Sequence, residues 1–119
     1  MTMSAALIAK MRRAREVEAE ALGHRFTLRV PNSGEIEDLT DSLAGKKLTF
    51  RRLLIASTVS WSLQEIDLIP GGSPVQVEFD QAIFAEWLGE HDAAIEPLFT
   101  VLSDAMAARR TQREEDAKN

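Results

Sequence analysis

Residues 20–31 read EALGHRFTLRVP, and this stretch decides whether the chain is entirely helical or contains a β-sheet. Its second half alternates apolar and polar residues and stops at Pro31, which is typical of a short strand. If the stretch is a hairpin, Gly23 and His24 form a two-residue turn of type II′, because glycine suits the first central position. If it is a helix, Leu22 continues an apolar face that begins upstream.

The pairing implied by this turn favours the hairpin, because it places the apolar side chains of both strands on one face. The apolar pairs are Val17 with Val30, Ala19 with Leu28, and Ala21 with Phe26. The pairs on the other face are Glu18 with Arg29 and Glu20 with Thr27. A helix gives no reason for the two halves to match. Since an isolated hairpin is marginally stable in water, we expect its apolar face to pack on helices or to pair with another chain.

Apolar residues at helical spacing, together with capping residues, predict the helices. A short basic amphipathic helix spans about Ser4 to Arg15, unless this segment is a frayed N-terminal arm. Four further helices are predicted. The first follows Asn32, which forms a capping box with Glu35, and ends at Gly45; the second begins at Thr49 and runs through Trp61. The third begins at Asp80 and ends at Gly89, and the fourth begins near Asp92. The clearest break in the chain is formed by Pro70, Gly71, Gly72 and Pro74.

The sequence therefore predicts a mainly α-helical α+β fold, in which an N-terminal β-hairpin packs against a bundle of about four to five helices. Residues 1–106 form a single domain, with a helix or arm at 1–15, the hairpin at 16–31 and helices at 32–106. Residues 107–119 form a polar charged tail, which is either a solvated helix extension or disordered.

The composition narrows the function classes. The 119 residues are 45% hydrophobic and 28% charged, with a net charge of -5, as in an ordinary globular protein. The acidic balance argues against nucleic acid as a partner, and no apolar run is long enough for a membrane span. Cysteine is absent and the N-terminus lacks the features of a secretion signal, so we expect a cytoplasmic protein. The composition leaves a homo-oligomer open.

No group of residues predicts a catalytic or metal site. His24 and His91 have no partner at the spacing of metal ligands, so we interpret both as ordinary loop histidines. The carboxylates of the helix after Asn32 lie away from its apolar side, as on a solvated face; they are Glu35, Glu37, Asp38 and Asp41. The sequence therefore predicts neither an enzyme nor a cofactor.

Six short motifs follow one another in an order that resembles a known family. They are G-x-x-F-T-L-R-x-P from Gly23, P-x-x-x-E-x-x-D-L from Pro31, L-L-x-x-x-x-x-x-W from Leu53, E-x-D-L-I-P-G-G from Glu65, F-D-x-x-x-F-x-x-W-L from Phe79, and P-L from Pro97. In order and spacing they resemble the small tail assembly chaperones of long-tailed bacteriophages and prophages. The resemblance covers residues 1–106.

The resemblance implies a non-enzymatic binding protein of the host cell cytoplasm, absent from the finished virion. Its partners would be the tape measure protein, a long and partly hydrophobic helical chain that it keeps soluble, and the tail tube protein. The alternative is a structural or adaptor subunit that stays in a virion or another complex, with the edge of the hairpin as its contact.

A chaperone of this kind needs exposed apolar surface, and an exposed stripe on a helix can receive a helix of a partner. The Pro-Gly break should leave the neighbouring residues least well covered. The predicted partner-binding residues are therefore Ile69, Phe84, Trp87 and Leu88. On this hypothesis, alanine at Trp87 weakens partner binding more than it lowers the melting temperature.

Overall fold

The computed structural model describes residues 2–118, which form six α-helices and one three-stranded antiparallel sheet. The helices are Met3–Arg13 (α1), Ser33–Ser42 (α2), Phe50–Ser57 (α3), Glu65–Leu68 (α4), Gln81–Glu90 (α5) and Ile95–Lys118 (α6). The strands are Glu16–Ala21 (β1), His24–Arg29 (β2) and Thr58–Trp61 (β3), in the spatial order β1-β2-β3. The predicted fold class, mainly α-helical α+β with an N-terminal hairpin, is confirmed.

The hairpin is present, but its turn lies one residue earlier than predicted. The two turn residues are Leu22 and Gly23, with φ of 52° and 80°, which is the left-handed conformation that a type I′ turn requires at both positions. Glycine therefore occupies the second central position, and the predicted Gly23–His24 turn is wrong. The corrected pairs include Val17 with Leu28, Ala19 with Phe26 and Glu20 with Arg25. A shift of two residues keeps every side chain on its predicted face.

The third strand was not predicted, because its residues continue the apolar spacing of the preceding helix. That helix, α3, ends at Ser57 instead of running through Trp61. Thr58 closes it, since both its backbone N–H and its hydroxyl donate to the carbonyl of Leu54, the hydroxyl at 2.7 Å. The next residues read VSW, and β-branched and aromatic side chains favour an extended backbone. Trp61 then pairs with Phe26 at the centre of the sheet.

The core lies between one face of the sheet and the helices α3, α5 and α6. Its largest fully buried side chains are Phe26, Leu28, Leu54, Leu63, Phe84, Leu88, Leu98 and Leu102. Aromatic rings join the sheet to α5: the ring of Phe26 lies 5.8 Å from that of Phe84 and 5.4 Å from that of Trp87. The indole N–H of Trp61 donates to the carbonyl of Val77 at 2.7 Å, which satisfies its polar group inside the core.

The predicted helix starts agree with the structure. Asn32 and Glu35 form a reciprocal capping box at the start of α2. The side chains of Thr49 and Asp80 accept backbone N–H groups at the starts of α3 and α5. Because each cap satisfies N–H groups that have no partner inside the helix, these polar residues fix the helix starts locally.

Two segments extend from the body of the protein. α1 contains no buried residue, and every residue of α6 after Met106 is exposed through Lys118. The tail is thus a solvated helix extension over the described residues; Asn119 lies outside them. The radius of gyration is 15.9 Å, whereas a compact chain of this length is expected at about 13.5 Å. Within residues 2–118, no helix combines the length and the apolar character that crossing a membrane demands.

Candidate partner-binding surfaces

Three of the four predicted partner-binding residues lie in the core. Phe84 and Leu88 are fully buried and Trp87 is 4% exposed, whereas Ile69 is 58% exposed. The expectation that these residues form one exposed stripe is therefore wrong. The physical reason is the sheet: with β3 added, its aromatic face covers the side of α5 that the sequence left open.

The Pro-Gly break is also better ordered than its composition suggests. Backbone N–H groups of Glu65 and Ile66 donate to the carbonyls of Val75 and Ser73, at 2.9 and 3.0 Å. Gly72 donates to the carbonyl of Ile69 at 2.9 Å. These bonds close residues 65–75 into a loop that is held at both ends. A side-chain bond from Gln76 to the carbonyl of Trp61 then fastens the loop along β3.

This loop carries the first exposed apolar surface. Ile66, Ile69 and Val75 are each about half or more exposed, and we call them the loop surface. Because the loop backbone is hydrogen-bonded to itself, these side chains project from a fixed base. Ile69 is thus the one predicted residue that a partner can reach directly.

The second exposed apolar surface is on α1. The helix has the predicted amphipathic pattern, yet its large apolar side chains all face solvent; we call them the α1 stripe, and they are Met3, Leu7, Ile8 and Met11. Three cationic residues, Lys10, Arg12 and Arg13, occupy its last turn. Cations at a helix C-terminus favourably complement the helix dipole, so α1 has local support even without a packed face.

Arg15 fixes the point where α1 meets the rest of the molecule. Its guanidinium, 9% exposed, donates to the carbonyl of Val30 at 2.8 Å and pairs with the carboxylate of Glu35. Burial alone would raise the pKa of Glu35, but the N–H of Asn32 and the charge of Arg15 together lower it below its usual value. The ends of α1, β2 and the start of α2 are therefore joined by one polar cluster.

His24 and His91, which have no ligand partner at metal-site spacing in the sequence, both lie beside the indole ring of Trp87. The ring of His91 stacks on Trp87 at a centroid distance of 4.6 Å, and its Nδ1 lies 2.8 Å from the Trp87 carbonyl. His24 approaches the same ring edge-on at 6.3 Å. The spacing of four residues between Trp87 and His91 is a local signal for their contact, whereas the approach of His24 depends on the hairpin turn and has no local signal. Among residues 2–118, no three His, Asp or Glu side chains are arranged to hold a metal ion.

No family model, curated protein or solved structure matches this chain.

The carboxylates of Glu37, Asp38 and Asp41 are exposed on α2, as the solvated-face interpretation predicts, and Glu35 is used as a cap. Two exposed apolar surfaces that a partner can reach are the α1 stripe and the loop surface.

Proposed function

We propose that this protein is a tail assembly chaperone of a long-tailed phage or prophage. In this role it binds the tape measure protein, keeps that helical chain soluble and helps to recruit tail tube subunits in the host cytoplasm. The proposal assigns no catalysis and no cofactor. It is supported by the order of the six sequence motifs, and above all by the α1 stripe, an amphipathic helix that leaves its whole apolar side open.

An exposed apolar stripe suits a protein that shields the apolar stripe of another helix. Packing a partner helix on Leu7, Ile8 and Met11 would remove about 25 cal/mol of unfavourable free energy per Å² of apolar surface buried. The surrounding charges, which make up 28% of the chain, would keep the unbound protein in solution. In this scheme Ile69 contributes through the loop surface, while Phe84, Trp87 and Leu88 act only by holding α5 in place.

The test is co-expression with the tape measure protein encoded in the same genome, measuring how much of that protein remains in the soluble fraction. We expect the unaltered chain to keep it soluble and the double variant Leu7→Ser, Ile8→Ser to lose most of this effect. Leu22→Ser is the matched control, because Leu22 is also an exposed leucine but lies in the hairpin turn, outside both surfaces. A tape measure protein that is equally soluble without this chain would refute the proposal.

The adaptor alternative is favoured by one observation, the open edge of β1. Within the described residues, β1 pairs on one side only, whereas at β3 the side chain of Gln76 donates to the carbonyl of Trp61. Val30 donates to the carbonyl of Arg15 at 2.9 Å, so by alternation the backbone groups of Glu16, Glu18 and Glu20 point away from β2. These groups can pair with a strand of another protein. Stoichiometric amounts of the chain in purified virions would favour this alternative over the chaperone.

A further inference from the structure

A groove of about 810 Å³ opens between the end of α1, the start of α2 and the exposed part of α6. Its apolar lining comes from elements that are distant in sequence: Met11, Val30, Pro31, Ile36 and Met106. Met11 is 59% exposed and belongs to the α1 stripe, so the groove continues the stripe onto the body of the protein. No local sequence pattern predicts the groove, because residues from both ends of the chain build it.

The groove is electropositive, although the protein as a whole is acidic. Four arginines line it, Arg15, Arg109, Arg110 and Arg113, and three further cations precede Arg15 at the end of α1, namely Lys10, Arg12 and Arg13. Residues 3–15 contain no Asp or Glu at all. Arg15 is engaged by Glu35, but the three arginines of α6 are exposed along the groove, whose lining includes one carboxylate, Glu114. Glu115 and Asp116 are exposed on the same helix but do not line the groove. A negatively charged partner is therefore drawn to this site.

We propose that this groove binds an acidic amphipathic α-helix of a partner protein. The apolar side of that helix would cover Met11, Ile36 and Met106, and its carboxylates would face the arginines of α6. The lining residues of α6 run from Met106 to Ala117, which is about 16 Å at 1.5 Å per residue, so about three turns of a partner helix can lie along them.

The inference deepens the proposed function and rests on it only for the source of the helix, which would be a segment of the client protein. The apolar and cationic lining of the groove argues against two other occupants, a second copy of this chain and a nucleic acid. A second copy of this chain offers no free helix of this kind. α1 has no acidic residue, the end of α6 has only alanines as apolar residues after Met106, and the acidic α2 already packs Leu39 against the core of its own chain. Nucleic acid carries the right charge but has no apolar side chains to cover the floor of the groove.

The experiment uses the full chain and a fluorescently labelled synthetic helix of about 18 residues, long enough to span the groove. The peptide carries leucines at i, i+3, i+4 and i+7 with glutamates beside them, and a matched peptide has lysine in place of each glutamate. Fluorescence anisotropy measures both affinities. We expect the acidic peptide to bind at least about tenfold more tightly than the lysine peptide, with the difference shrinking at high salt as the charges are screened.

Two variants locate the site. Arg109→Glu with Arg113→Glu should weaken binding of the acidic peptide by about tenfold or more, as loss of two charge contacts predicts. Lys46→Glu with Lys47→Glu makes the same change in net charge at exposed residues outside the groove and should leave binding nearly unchanged. Met11→Ser should also weaken binding, because it removes apolar surface from an exposed site without opening the core.

Four results would overturn the inference: equal binding of both peptides, equal effects of the two double variants, displacement of the peptide by a single-stranded oligonucleotide at comparable concentration, or dimerisation of the chain through these arginines. Because the probe is synthetic, such a failure would concern the groove alone. Failure of the co-expression experiment with an intact groove would instead reject the tape measure protein as the source of the helix.

Discussion

α5 and α1 have the same kind of sequence pattern, but the apolar side of α5 is buried and that of α1 is exposed. Each is a helix of 10 or 11 residues with apolar side chains at helical spacing. α5 buries Phe84, Trp87 and Leu88 between the sheet and its neighbouring helices, while α1 buries nothing. Apolar spacing in a sequence therefore identifies the apolar side of a helix, but it does not decide whether another element of the protein covers that side. The covering of α5 depends on pairing across the sheet, which is encoded far away in the chain.

The largest expected effect comes from truncating matched apolar side chains in the two helices. Phe84→Ala should lower the free energy of unfolding by about 3–5 kcal/mol, because it removes contacts with several aromatic rings and leaves a cavity. Leu7→Ala should change it by less than about 0.5 kcal/mol, because Leu7 is exposed. Urea unfolding followed by circular dichroism measures both.

A loss of similar size in the two variants would contradict the comparison and would mean that α1 packs on the body in solution. Trp87→Ala belongs with Phe84→Ala: we now expect it to destabilise the protein, in contrast to the sequence-based hypothesis of a selective binding defect. The stability measurement separates these two interpretations without any partner present.

The second prediction concerns the loop that presents Ile69. A Cβ at Gly72 would lie 2.8 Å from the carbonyl oxygen of Glu65 and 2.9 Å from its carbon, so the backbone must move to admit it. We expect Gly72→Ala to lower the free energy of unfolding by about 1–3 kcal/mol, as overpacking of a closed site does. Gly89→Ala is the control, because nothing lies within 4 Å of its Cβ and alanine favours the helix.

The two glycine variants should therefore shift the melting temperature in opposite directions. If both raise it, the loop is free to adjust, and Ile69 projects from a mobile segment instead of a fixed base. In that case the loop surface would not hold its apolar side chains in a fixed position, and it would be no better suited to bind a partner than other exposed apolar residues.

Local signals in the sequence predicted the parts of the fold that depend on local physics. Asn32, Thr49 and Asp80 mark helix starts because a cap acts on N–H groups two or three residues away. The hairpin was predictable because its two strands alternate in step. Its turn was misplaced by one residue, since leucine rarely adopts the left-handed conformation that Leu22 has here.

The parts that could not be predicted depend on residues far apart in the chain. β3 was not predicted because Thr58 to Trp61 fits the apolar spacing of a helix, and its pairing with β2 involves residues about 30 positions away. That missing strand is also why Phe84 and Trp87 were expected at the surface. The groove beside Met11 and Met106 joins the two ends of the sequence, and no local pattern connects them.

The smallest expected effect is at the junction that joins α1 to the body. Glu35 accepts from the N–H of Asn32 and pairs with Arg15, and these contacts lower its pKa below the ordinary value of 4.5 despite partial burial. A group whose pKa is lower in the folded state stabilises that state above its unfolded pKa, and the gain is lost as the pH falls through the folded value. The charged form therefore contributes at neutral pH and ceases to do so in acid.

Glu35→Gln should accordingly lower the free energy of unfolding by about 1 kcal/mol at pH 7, the usual size for a helix cap. The partial exposure of the pair keeps the effect small. The difference from the unaltered chain should shrink as the pH falls below 4.5, which urea unfolding at several pH values measures. Glu37→Gln, an exposed neighbour on α2, should show little difference at any pH. If Glu35→Gln leaves stability unchanged at pH 7, the pair of Arg15 and Glu35 does not fix the end of α1. The side of the groove that contains Met11 would then not be held in place by this pair.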